Sequence, residues 1–367
     1  TYSSSVPISK TVFPRMHSEQ ILTIAYWVAI AIVALVLFLM IYILFLRLLL
    51  LMKERRYRNF SALWRPILLN NTKKKLDHFP RIELADRFSY LILWNMVREE
   101  KQGDEELRNW LNSVALATGV DRAAKRLLRK HSVRKKLLAV VTLGQLRDKS
   151  QWEKLCQMAV SEHALLSLAA TQAVARIDPM AAVPVIIPLV VRRVDWPAAK
   201  VASILKEIGP DLVSESLVKA VTHAPVDDMQ RLIPYLATCH DTIALSAVRQ
   251  ILANPPDDKV IGPCLNAIGR FRDAKDQELA RHYLNHPRWH VRAHAASCIG
   301  RIGTKEDEKK LVTLLTDQEW WVRYRAAQAI VELPSFSMAR MHKLKDELKD
   351  RYARDILDQA IAERRPA

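Results

Sequence analysis

The chain has 367 residues, with 56 Lys and Arg against 39 Asp and Glu, a net charge of +17, and only eight glycines. So few glycines exclude an architecture built on Gly-rich loops, nucleotide-binding loops included, while Ala, Leu, Arg, Lys and Glu dominate and favour helix. The length suits one large domain or two ordinary ones.

After a short tail (1–20) comes "ILTIAYWVAIAIVALVLFLMIYILFL", residues 21–46, which is 26 residues without a charge. As a helix it measures ~39 Å against a hydrocarbon core of ~30 Å. Core helices are seldom this long and uniformly apolar. A cleaved signal would have a shorter apolar region and a small-residue cleavage site. The pattern predicts a single transmembrane helix over 21–52, with Tyr26 and Trp27 at one interface and Tyr42, Phe45 and Tyr57 near the other. Lys53, Arg55, Arg56, Arg58, Arg65 and Lys73–Lys75 follow the span, whereas only Lys10 and Arg15 precede it. The positive-inside rule then puts the tail outside and the C-terminal bulk in the cytoplasm. Arg55, Arg56, Arg58, Lys73, Lys74 and Lys75 are the candidate contacts to anionic phospholipid. More of the positive excess lies in "DRAAKRLLRKHSVRKK", 121–136. Near a tethered end, such charge is explained more economically by lipid than by nucleic acid. The four cysteines, Cys156, Cys239, Cys264 and Cys298, are widely spaced and read as core residues of a reducing compartment. Position 1 is threonine, which leaves the native start open.

Residues 53–104 read as a juxtamembrane helical linker. Within it, "LWRPILL" supports two readings: a helix starting at the membrane surface with Pro66 in its first turn, or a docking segment that uses Trp64 and Arg65.

From 105 to 333 the sequence repeats. "DDKVIGPCLNAIGRF", "RWHVRAHAASCIGRI" and "EWWVRYRAAQAIVEL" place Val260, Val291 and Val322 at a spacing of 31, and Ile268, Ile299 and Ile330 likewise. Each segment has helical apolar spacing and follows a second short helical pattern, as "KDQELARHYLN" or "KEDEKKLVTLL". This predicts an all-α solenoid of about seven helix pairs, most degenerate at "DDMQRLIPYLATC". Residues 334–367 follow, with 338–363 expected as one charged capping helix.

The core "VRxxAAxxIGxIG" at 291–303 and "WVRYRAAQAIVEL" at 321–333 resemble HEAT repeats of the type also found in phycobilin lyases. "FSALWRPILL", "LILWN", "DWP" and "DRYARDILDQ" further resemble a group of bacterial single-pass inner-membrane HEAT proteins. That resemblance implies an association with membrane glycosyltransferases and envelope polysaccharide export.

"RHYLNHPRWHVRAH" sets His282, His286, His290 and His294 four residues apart. Metal binding is disfavoured. The neighbouring repeat has Asp317, Trp321 and Arg325 at the matching positions, and Pro287 interrupts the helix. His290 and Cys298 would stand ~12 Å apart, too far for one ion. No His-Glu dipeptide, Gly-x-Ser-x-Gly, Walker loop or paired-carboxylate motif is present, so no cofactor and no catalytic residue is assigned. "KEDEKK" and "KDELKD" read as solvated charge runs.

The expected function is therefore a non-catalytic membrane-anchored scaffold or regulatory subunit with a membrane-protein partner. The rivals are a nucleic-acid or anionic-ligand binder and, third, a lyase-like enzyme. Candidate partner-binding residues are Trp196, Arg288, Arg292, Trp320, Trp321, Trp64 and Arg65. Two readings stand for the tryptophans at helix entrances: staples against the adjacent repeat, or anchors for a partner. Trp289 is expected as a staple, with one of Trp320 and Trp321 exposed. Arg292 and Arg323 are expected mainly to bind helix ends or carboxylates between repeats.

Overall fold

The computed structural model describes residues 18–69, 79–83, 86–101, 104–333 and 337–364, and every regular element among them is a helix. They divide into two compact units, Thr1–Leu111 and Asn112–Ala367.

In the first unit, α1 (Ser18–Leu69) is an unbroken helix of 52 residues, ~78 Å long at its ordinary rise. Its most apolar stretch has a mean hydropathy of 3.2, and none of that stretch is covered. Large apolar side chains from Tyr26 to Met52 stand open. It is the one helix among the described residues that is long and apolar enough to cross a membrane. The expected helix start at Pro66 is absent, because Pro66 lies inside α1 in its last turn. There a proline forfeits only one backbone bond, and Trp64 and Leu68, one turn apart, hold this end by their burial. They pack with α2 (Arg87–Glu100) and the first part of α3 (Glu105–Thr118). The Trp64 and Tyr90 rings meet edge-on at 4.7 Å, and Trp94 Nε1 donates to the Leu111 carbonyl at 3.0 Å.

The second unit is a stack of helix pairs. In chain order they are α4 (Val120–Leu128) with α5 (Val133–Leu146), α6 (Trp152–Ala159) with α7 (Ala164–Ile177), and α8 (Pro179–Arg192) with α9 (Ala198–Ile208). Next come α10 (Pro210–Thr222) with α11 (Val226–Leu232), α12 (Asp241–Ala253) with α13 (Asp258–Phe271), and α14 (Gln277–His282) with α15 (Trp289–Ile302). Last are α16 (Glu308–Leu314) with α17 (Trp320–Glu332), and α18 (Met338–Glu347) with α19 (Arg351–Arg364). Second helices pack on second helices, α5 on α7 and α13 on α15, α17 and α19 in turn. The predicted α-solenoid is therefore the fold. Its weakest copy is visible too: α11 gives way to a 3-10 stretch, Ile233–Thr238, where Pro234 removes a backbone donor, and this stretch takes the second helix's place against α13.

The three valines and three isoleucines at the 31-residue spacing are all fully buried. The stack closes tightly at Gly300, where a Cβ would come within 2.7 Å of Ala329 Cα, so only glycine lets α15 and α17 approach this closely. The terminal segment differs from expectation. It is two helices, α18 and α19, broken before Asp350, whose carboxylate accepts from the Ala353 N–H at 3.1 Å. Together they form an eighth pair, with α19 lying against α17.

A ladder of ion pairs joins the first helices. Arg249 Nε donates to Asp276 at 2.6 Å, and Arg281 Nε to Asp307 at 2.6 Å, the two carboxylates lying 31 residues apart. Arg340 from α18 continues it to Glu308 at 3.0 Å. The reading of "KEDEKK" as a solvated run is corrected here, since Asp307 and Glu308 are both buried. Asp276 and Asp307, at the starts of successive first helices, turn inward toward the arginine of the preceding pair, and Glu308 toward that of the following one. Burial pushes the Asp307 carboxyl up, but the Arg281 guanidinium and the Thr304 N–H outweigh it and hold it below the ordinary carboxylate range.

Candidate functional site

The turn joining first to second helix is set by an arginine in each of the last two full repeats. Arg292 Nη1 donates to the His286 and Pro287 carbonyls at 2.9 and 3.0 Å, and Arg323 Nη1 to those of Asp317 and Gln318 at 2.7 and 3.1 Å. Arg292 also reaches across to the Asp317 carboxylate through two bonds of 2.8 Å. Its side chain is only 16% exposed, so Arg292 is a repeat-to-repeat clamp. It is withdrawn as a partner contact.

The clamp fixes where the next residues emerge. Trp289 and Trp320 each open a second helix and are 41% and 43% exposed, and Trp321 is 51% exposed. Trp289 is thus not the buried staple expected, and both Trp320 and Trp321 are open rather than one. The geometry explains it. The inward positions of these first turns are taken by Val291 and Val322, which are fully buried. The rings brace one another: Trp320 stacks on Tyr324 at 5.1 Å with 8° between planes, and Trp321 meets Trp320 edge-on at 4.8 Å. Arg325 lies over the Tyr324 ring, 6.0 Å from its centre. Arg288 is exposed beside Trp289 and stands 3.5 Å from Asp258. The result is a rigid aromatic edge bordered by guanidinium groups.

The other tryptophans are elsewhere. Trp196 is 5% exposed and lies under the Arg193 guanidinium, 5.6 Å away, so it is a staple and not an anchor. Trp64 is 1% exposed in the core of the first unit, which removes it from any docking surface, while Arg65 is exposed and paired with Glu100 at 3.0 Å. Among the basic residues after the apolar run, Arg56 is committed to Asp86 at 2.8 Å and Arg58 to Glu54 at 3.3 Å. Arg55 is exposed, and Lys73, Lys74 and Lys75 lie outside the described residues.

The four histidines split over three elements. His282 ends α14, His286 precedes the turn, and His290 and His294 lie on α15. Among the described residues, no three His, Cys, Asp or Glu side chains are grouped to hold a metal ion. His294 is instead a packing residue whose ring fills the space beside Gly262; a Cβ there would lie 2.5 Å from it. Burial, with the Arg325 and His290 charges, pushes its pKa down. The cysteines are unpaired thiols; burial pushes Cys239 up to about 11 and Cys264 and Cys298 up to about 12, which keeps them protonated and unreactive.

A family model described as HEAT repeats matches residues 245–331, the segment that carries this edge. Among solved structures, a crystal structure of an engineered protein is 15% identical, covering 76% of this chain and 89% of that chain at a TM-score of 0.33. No curated protein matches. Residues 245–331 thus match HEAT repeats, a module that generally serves protein–protein interaction and scaffolding.

Proposed function

We propose that this chain is a non-catalytic, membrane-anchored scaffold or regulatory subunit whose solenoid binds a protein partner along the edge of Trp289, Trp320 and Trp321. The observation that carries this reading is the exposure of those three rings, whereas the other tryptophans of the stack, Trp152 and Trp196, are half-buried and buried. Trp and Arg dominate binding hot spots because a rigid amphipathic ring loses little entropy when it is covered. The uncovered apolar surface of α1 supports the anchor, and the basic run after it supports a cytoplasmic solenoid. A tether of this kind raises the effective concentration of a partner in the same membrane, so weak contacts suffice. The proposed partner is a membrane glycosyltransferase or polysaccharide-export complex of a bacterial inner membrane, in line with the resemblance of the sequence.

The test is co-purification in mild detergent with the intact chain and with W320A/W321A. The expected outcome is a stoichiometric membrane protein with the former and at least a tenfold loss with the latter, at ~2 kcal/mol or more per anchor. Both proteins should melt at the same temperature. Undiminished capture by the double variant, or capture of nucleic acid in place of a membrane protein, overturns the reading.

A further inference from the structure

The first repeat carries charge that its own fold does not use. From Asp121 to Lys136 there are eight Lys and Arg against one acid, Asp121. On α4 the buried face is Val120, Ala124 and Leu128, and the outward face is Arg122, Arg126 and Arg129, one helical turn apart in succession. The chain then passes exposed Lys130 and enters α5, where Lys135 is exposed in the opening turns. Lys125 has an acid at hand: its Nζ lies 2.7 Å from Asp148. Arg122, Arg126, Arg129, Lys130 and Lys135 have no ion pair among the described residues, and the exposed acids of the next pair, Glu153 and Glu162, engage none of them. This contrasts with the C-terminal repeats, where Arg249, Arg281, Arg292 and Arg340 are all paired to carboxylates.

Like charges gathered on one corner repel, and among the described residues Arg122, Arg126, Arg129, Lys130 and Lys135 meet no carboxylate that relieves it. A counter-charge from outside would. Two features select its kind. No aromatic residue occurs between Gly119 and Gln151, so the corner lacks the stacking platform that single-stranded nucleic acid uses. The same chain bears an uncovered apolar helix, which on the membrane-anchored reading ties the solenoid to an extended lipid surface. The apolar stripe of α4 is already buried, so the contact is electrostatic, with no insertion into the acyl region.

We infer that the α4–α5 corner rests on the headgroups of an anionic phospholipid bilayer, a second membrane contact besides α1. This rests on the membrane-anchored reading above. Each basic residue at such a surface contributes a roughly fivefold factor in binding, screened by salt.

The test uses the full chain incorporated in nanodiscs of phosphatidylcholine alone or with about one-third phosphatidylglycerol, and follows the rate of lysine acetylation by mass spectrometry. Lys130 and Lys135 should react at least threefold more slowly in the anionic discs. Lys200 and Lys305, exposed on other repeats, should not change. The protection should vanish at high salt and in R122Q/R126Q/R129Q, whose substitutions lie on a solvent face and leave the repeat folded. Equal Lys130 and Lys135 rates in both discs overturn the inference while leaving the anchor intact. So does protection that appears only when duplex or single-stranded nucleic acid is added. A chain that fails to enter either disc overturns the anchor, and the corner's role with it.

Discussion

The Arg281–Asp307 pair is the sharpest place to test what holds the stack together. Asp307 has a fully shielded side chain, and Arg281 is 13% exposed. One carboxylate oxygen accepts from Arg281 Nε at 2.6 Å; the other accepts from Nη2 at 2.9 Å and from the Thr304 N–H at 2.8 Å. Asp307→Asn keeps the shape but sets an amide NH2 against one of these donors, whichever way the amide turns. It also leaves the guanidinium without its buried counter-charge. A charge-assisted bond is worth ~1.5–3 kcal/mol, and breaking one side of a buried pair costs up to ~5. Glu278 also pairs with Arg281 and offsets part of that loss, so the expected cost is about 2–4 kcal/mol. Stability in a repeat stack is approximately a sum of local and nearest-neighbour terms. Hydrogen exchange of the full chain should therefore show the lost protection concentrated in α14 to α17, with α5 and α7 little changed. The pH dependence has a definite sign. The native carboxyl is held below its ordinary range, so its contribution is fully present above the unfolded value of ~3.9 and fades as pH falls through the native one. The gap between wild type and D307N should accordingly close below about pH 4. A D307N chain that is as stable as wild type at pH 7, or that loses protection evenly along the stack, refutes the ladder as a device joining repeats.

Three more outcomes follow from particular contacts. Gly300→Ala should destabilise by ~1–3 kcal/mol, because its Cβ meets backbone of α17; Gly269→Ala, whose nearest neighbour lies at 3.3 Å, should cost clearly less in the same urea titration. Trp196→Ala should lower the melting temperature through ~3–5 kcal/mol of lost burial and leave partner capture unchanged at temperatures where the chain is folded. His294 has its pKa pushed down by burial, so stability should decline as pH drops below ~6.5 toward the native value, and His294→Gln should remove that share of the slope in thermal melts between pH 7.5 and 5.

The solenoid was legible because its signal is periodic. Val260, Val291 and Val322 must be apolar in every copy, since each fills the same interior position. Side chains at the ends of helices were less legible. Trp196 and Trp320 look alike in sequence, each near the entrance of a second helix, yet one is covered and the other open. What separates them is whether a neighbouring arginine folds over the ring, as Arg193 does over Trp196, and that is a tertiary fact with no period. Asp307 failed for a related reason. In a run such as "KEDEKK" every residue is charged, so hydropathy cannot say which one turns inward. The available signal was an acid recurring 31 residues after Asp276, with arginines 32 apart at Arg249 and Arg281. Pro66 misled because a proline near a helix end satisfies the rules for starting a helix and for ending one.

The two proposed surfaces of the solenoid are related by its construction. The α4–α5 corner and the rings of Trp289 and Trp320 all sit where a first helix hands over to a second, so they lie on the same edge of the stack. Between α5 and α17 the second-helix layer advances six steps, and at ~8–10 Å per step the corner and the Trp320 cluster stand about 50–60 Å apart along the stack. That separation allows both to be occupied at once. It also constrains the partner. On this reading, a first repeat set against headgroups would hold the stack at the bilayer that also carries the partner, and so raise their effective concentration. A membrane protein with a cytoplasmic segment can meet Trp320 and Trp321 there without leaving its lipid. A soluble partner gains nothing from that placement. Moving the charge should therefore move the partner: the R122Q/R126Q/R129Q chain, with its aromatic edge untouched, should capture a membrane partner less well in anionic nanodiscs yet equally well in detergent. Equal capture in both would mean that the edge works independently of the corner.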